Sequence, residues 1–283
     1  MFGLFKKKEA PKEPPSQQRD EWKEFAAPFL PEELSIVAVT DASGFGSVKE
    51  PEQELWRVGI GLTAWMEEDS PDIHRGEASL VSLADDTLRN YLRQRVRPDF
   101  IIKFKARVSE DGRRLLLLDL PEPGFDPDLK AILEEQKKPV SFWEDGLGTF
   151  TLNRSVGWFE TEAEWLGQPA RLDFDRDENR ADCLTHFHTL MERQEEWDQR
   201  VRALAAEKLL DLANDWAQES EEDREAAEIT QEQFMERMEL DAIQIYEDGA
   251  FEFWFNDGDL FWGHSIHVTG SLTNGPEEAQ MEG

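Results

Sequence analysis

Asp257, Asp259, His264 and His267 crowd together near the C-terminus, on either side of an Asp-Gly-Asp turn. Two carboxylates and an imidazole are the donors that a divalent cation takes, and they can also divide acid and base roles between them. Spacing restricts the set. His264 and His267 are three apart on a predicted strand and point to opposite faces. The candidate metal or acid/base site is therefore Asp257, Asp259 and His264. The competing reading is structural: ordinary turn chemistry at residues 257–259, with His264 a core histidine bonded to the backbone.

Other chemistry finds less support. His186 and His188 are two apart on a predicted helix, roughly 200° around it, and form no joint site. The single cysteine, Cys183, excludes a disulfide framework and a multi-cysteine zinc site. Its neighbour Asp182 raises rather than lowers a thiol pKa, so it is a poor nucleophile. No Gly-x-Ser-x-Gly, Ser-x-x-Lys or Walker sequence occurs. Gly59 and Gly61 lack the third glycine of a dinucleotide fingerprint and sit in a strand, where they mark a bulge, a bend or a close backbone approach. No motif calls for a cofactor.

The elements that position the candidate residues are strands. Residues 249–270, GAFEFWFNDGDLFWGHSIHVTG, are the most aromatic stretch of the chain. A strand at 240–246 precedes it, with Ile243 and Ile245 on one face. A two-residue turn would set Ile245 opposite Glu252. A three-residue loop, Glu247-Asp248-Gly249, sets Ile245 opposite Phe251 and Ile243 opposite Phe253, with Gly249 left-handed. The second register pairs apolar with apolar and is the one expected. After the 257–259 turn, Ile266 and Val268 share the apolar face with His264, and Ser265, His267 and Thr269 share the other.

Upstream, the sequence predicts strands at 34–40, 55–65, 78–83, 100–108 and 114–120, with a loop at 41–46. Lys103, Lys105 and Arg107 form a basic stripe, expected to pair with neighbouring carboxylates. Helices are expected at 85–96, with an Asp85 or Asp86 cap, and from Pro127 to about 136. Three strand-like segments follow at 149–154, 157–161 and 170–174. A single long amphipathic helix is expected from 177 to the acidic segment 219–228, because its apolar stripe has neither proline nor glycine. Thr230 and Gln233 form a capping box for a short helix.

The fold class expected is α+β: antiparallel sheets packed against helices, with the long helix in a second unit. The units are a tail at 1–18, an N-terminal unit at 19–138, a C-terminal unit at 139–273 ending in a three-stranded meander, and an acidic tail at 274–283. The net charge is −31 over 283 residues. It disfavours nucleic acid, whose phosphates it repels, and favours a basic protein partner. No apolar run is long enough to span a membrane. The start, MFGLFKKK, allows at most weak peripheral contact with an anionic surface. With one cysteine, and apolar residues placed before the lysines in the reverse of a secretory signal, a cytoplasmic chain is the expectation.

The runs VGWFE at 156, WDQRVRALAAEKLLDLANDW at 197, ITQEQF at 229 and DLFWGHSI at 259 resemble an uncharacterised bacterial family, domain of unknown function 2262. The resemblance covers about 140–270. It implies a bacterial cytoplasmic α+β domain and carries over no activity, ligand or site residue. Two functional readings follow. One is a non-enzymatic acidic interaction protein, antitoxin-like or an adaptor, that binds a basic protein. The other is an enzyme or ligand-binding protein using the Asp257, Asp259, His264 corner.

Overall fold

The structure is a computed structural model and describes residues 16–51, 53–219 and 228–283. Most of the expected N-terminal tail and most of the acidic segment lie outside the described residues. The chain divides into two compact units, Met1–Lys138 and Pro139–Gly283. Both mix helix and strand, with more residues in strands.

The N-terminal unit runs α1 (Ser16–Ala26), β1 (Leu34–Val48), β2 (Trp56–Glu67), β3 (His74–Ala84), α2 (Asp86–Arg95), β4 (Ile101–Val108), β5 (Arg114–Leu117), β6 (Glu122–Pro123) and α3 (Pro127–Gln136). The order β1-β2-β3-β5-β4 closes on itself through a β1–β4 ladder. The expectation of antiparallel sheets laid against helices is thus corrected here: this is a five-stranded barrel, and β3 pairs with β5 in parallel. With α2 between β3 and β4, the connectivity is that of OB-type Greek-key barrels. Closure removes the sheet edges and buries Ile36, Ile60, Leu80, Phe104 and Leu115 in one core. Helix α2 adds Leu92 and Val96 to it. Asp85 caps that helix by accepting the Leu88 N–H at 2.8 Å.

Residues 41–46 are not a loop but an irregular stretch inside β1, between register shifts at Thr40 and Phe45. Asp41 Oδ1 accepts the N–H groups of Ser43 and Gly44 at 3.0 and 3.1 Å. Its carboxylate fills the space beside Gly61, where a Cβ would stand 1.8 Å from Oδ2. The strand glycine marks a close approach, by a side chain. Two residues of the basic stripe are engaged locally: Lys103 pairs with Glu68 as expected, while Arg107 Nε donates to the Leu30 carbonyl at 2.6 Å rather than to a carboxylate.

The C-terminal unit runs β7 (Ser141–Glu144), β8 (Gly148–Asn153), β9 (Trp158–Trp165), β10 (Gln168–Asp175), α4 (Arg180–Met191), α5 (Gln194–Glu219), α6 (Gln231–Arg237), β11 (Glu239–Ile245), β12 (Ala250–Asn256), β13 (Ser265–Ser271) and β14 (Gly275–Glu282). Its eight strands follow chain order across one sheet. Two antiparallel meanders, β7–β10 and β11–β14, meet at a parallel β10–β11 pair. The three helices form the crossover between them.

The hairpin register holds: Ile243 faces Phe253, Ile245 faces Phe251, and Gly249 has φ +84. The capping box at Thr230 and Gln233 is present. Two expectations are corrected. The long helix is broken after Met191, where the chain makes a turn at Glu192 and Arg193 before α5 begins. Leu212, on its expected apolar stripe, is exposed. The residues expected as an acidic tail form β14, so the last meander has four strands. Phe150, Phe174, Phe187, Val201, Phe251, Phe253 and Phe261 are fully or nearly fully buried in the core between sheet and helices.

Candidate functional site

The expected corner is a folded turn. Asp257 is buried, and its carboxylate is consumed by the backbone: Oδ1 accepts the Asp259 N–H at 3.2 Å, and Oδ2 accepts those of Phe261 and Gly263 at 2.5 and 3.1 Å. His264 Nδ1 bonds to the Phe261 carbonyl, and its ring meets Trp216 edge-on at 5.4 Å. Asp259 is exposed and lines a recess of about 140 Å³ with Arg237 and Trp262; Asp257 and His264 do not line it. The three residues are not brought together as a ligand set. Among the described residues no group of three or more His, Cys, Asp or Glu side chains could hold a metal ion.

The other sequence candidates are also dispersed. His186 Nε2 bonds to the Glu247 carbonyl, and His188 Nε2 to Glu144 at 2.9 Å. Cys183 is buried; burial pushes its thiol up to about 12, and the charges of Glu178, Glu247 and Asp182 push the same way.

A different set converges on the outer face of the C-terminal sheet, the face turned away from the helices. Strand alternation sends Phe251, Phe253, Phe255, Ile266 and Val268 inward, so Glu252, Trp254 and His267 point outward. The ladders set Trp254 opposite His267, Asp173 beside Glu160 and Gln244, and Arg171 opposite Glu162. A bulge after Leu240 inserts Asp241, which lies 3.7 Å from Arg171.

Two carboxylates on this face differ in their surroundings. Glu252 is saturated: Oε1 accepts from the Tyr246 hydroxyl at 2.8 Å, and Oε2 accepts from Trp254 Nε1 at 3.1 Å and pairs with His267 Nε2 at 2.9 Å. His267 lies flat on Trp254, ring centroids 3.9 Å apart. Burial and the bond to Glu252 raise the Tyr246 phenol well above its usual range. Asp173 is more buried, with 1% exposure, and less satisfied. Arg171 Nε donates to its Oδ2 at 3.1 Å, while Oδ1 has no hydrogen-bond partner. Burial pushes the Asp173 carboxyl up to about 6 against the pull of Arg171, and Glu160 and Glu252 add to the rise.

Asp173 lines a recess of about 220 Å³ together with Trp158, Arg171, Asp241, Gln244 and Trp254. A shallower groove of about 610 Å³ shares Arg171 and Asp241 with it and runs past Glu160, Glu162 and Leu240. Such a surface can bind a cation and hold an extended segment along strands β9–β11. Its residues were encoded as the polar half of each strand's alternation. That parity was readable for His267, but the partnership of β10 with β11, separated by three helices, was not.

Fold and face together describe a two-unit α+β protein, a barrel followed by a helix-backed sheet with a polar outer surface. Residues 144–281 match the model of a family described as an uncharacterized protein conserved in bacteria (DUF2262). Residues 21–136 match a second family, described as a domain of unknown function (DUF7021). No curated protein and no solved structure matches the chain. No described helix is long and apolar enough to cross a membrane.

Proposed function

We propose that this chain is a non-enzymatic interaction protein whose C-terminal sheet presents its outer face to a basic protein partner. The observation that carries the reading is the charge of that face: Glu160, Glu162, Asp173 and Asp241 cluster around Arg171. The chain's net charge of −31 supports the same direction, since it accelerates encounter with cations. Trp254, half-buried and stacked on the buried His267 ring, gives the face an indole of the kind that anchors interfaces. Cytoplasmic location, expected from the cysteine content, accords with an adaptor or antitoxin-like role.

The test is carboxylate footprinting. The full chain is labelled with a carbodiimide and an amine, with and without a short arginine-rich peptide, and each site is read by mass spectrometry. Protection concentrated at Glu160, Glu162 and Asp241 supports the reading. Protection spread evenly over exposed carboxylates, including Glu192 and Glu195 on the helix side, contradicts it.

A further inference from the structure

Resting on that reading, we infer that the recess beside Asp173 is a specificity pocket for one guanidinium group, the side chain of an arginine carried by the partner. Three observations converge. Asp173 is buried along the recess with one carboxylate oxygen lacking a donor, although its other oxygen and both oxygens of nearby Glu252 are engaged. A buried acceptor left unmade is costly, so a ligand N–H that supplies the bond gains more than one placed at the surface. Trp158 and Trp254 line the same recess, and a planar guanidinium stacks on indole faces while its N–H fork donates in plane. The recess, about 220 Å³, takes one side chain, and the adjoining groove of about 610 Å³ takes the backbone and neighbours of that residue.

Arg171 does not fill the role itself. Its Nε is committed to Asp173 Oδ2 and it also lies beside Asp241, so it forms a wall of the recess and orients the carboxylate. Asp241 is the second anion at the junction of recess and groove, placed there by the bulge in β11. The fully bonded Glu252 serves as the contrast: it positions Trp254 and His267 and has no free oxygen to offer.

The experiment titrates the full ¹⁵N-labelled chain with a glycine-flanked arginine peptide, its citrulline analogue, its lysine analogue and methylguanidinium, following the tryptophan indole signals. The arginine peptide is expected to bind at least about tenfold more tightly than the citrulline peptide, a difference of about 1.4 kcal/mol. It is also expected to outbind the lysine peptide and to move the Trp158 and Trp254 signals, assigned with W158F and W254F. Asp173→Asn, which keeps the shape and removes the charge, is expected to erase the arginine preference while retaining the wild-type indole dispersion that marks a folded sheet. Equal binding of arginine and citrulline peptides overturns the inference, as does an arginine preference that survives in D173N. Methylguanidinium binding as tightly as the peptide overturns the side-chain assignment in favour of a small free guanidine. The broader reading fails separately: if an arginine-rich peptide binds and is footprinted on this face with no dependence on Asp173, only the pocket falls.

Discussion

At the scale of single residues, the molecule separates carboxylates that build structure from one that stores cost. Asp257 belongs to the first kind. Three backbone N–H groups lose their acceptor in Asp257→Ala, and the loss is expected to lower unfolding free energy by about 2–4 kcal/mol in denaturant titrations. Divalent cations are expected to leave the thermal midpoint of the metal-stripped protein unchanged, in wild type and in Asp259→Ala alike, because the buried Asp257 carboxylate is held by three backbone N–H groups and does not converge with Asp259 and His264. A saturable rise would restore the metal reading. Asp173 belongs to the second kind. Its carboxyl titrates near 6 when folded against 3.8 when unfolded, so the folded chain holds the extra proton between those values. The contribution of this group is therefore present below pH 3.8 and is lost as pH rises through 6. Above that, the ionised form costs up to about 3 kcal/mol. Asp173→Asn is expected to unfold at higher denaturant than wild type at pH 8 and to narrow the difference at pH 5. A variant less stable than wild type at both pH values would contradict the account. The residue types around the first site were legible because they are local in sequence. Asp173 was not, since its neighbours Glu160, Gln244 and Glu252 come from three other strands.

At the scale of elements, short-range signals translated well. Helices α2, α3 and α6 begin where Asp85, Pro127 and Thr230 place them, and apolar matching across the β11–β12 loop set its register. What the sequence could not show was set by distant contacts. The break between α4 and α5 has no proline or glycine to announce it; Arg193 N–H turns to the Leu190 carbonyl at 3.1 Å instead. Charged residues at 277, 278 and 282 disguised β14, whose partner strand β13 supplies the ladder and whose outer side is an edge. The irregular stretch of β1 also read as a loop, because Asp, Ser and Gly favour turns wherever they occur. Its coupling to Gly61 is testable. Gly61→Ala drives a methyl into the Asp41 carboxylate and is expected to cost about 1–3 kcal/mol. In an Asp41→Ala background the same substitution is expected to cost much less, giving a coupling above about 1 kcal/mol in a double-mutant cycle. Additive costs would show that the close approach does not constrain the strand.

At the scale of the whole molecule, a net charge of −31 favours encounter with cations over anions. Charge alone, however, would attract a polycation to any surface. The proposed recognition is narrower and belongs to the outer face of the C-terminal sheet, where Glu160, Glu162 and Asp241 stand together beside a deeper anion. The direct measurement compares two variants of the full chain with equal loss of charge, binding a fluorescently labelled arginine-rich peptide at physiological salt. One is Glu160→Gln/Glu162→Gln/Asp241→Asn on the face; the other is Glu192→Gln/Glu195→Gln/Asp211→Asn at exposed helix positions. The face variant is expected to weaken binding at least about tenfold, or about 1.4 kcal/mol, while the helix variant is expected to stay within about twofold, the scale of long-range charge effects screened at that salt. Equal weakening in both would contradict it and leave the peptide bound by net charge alone.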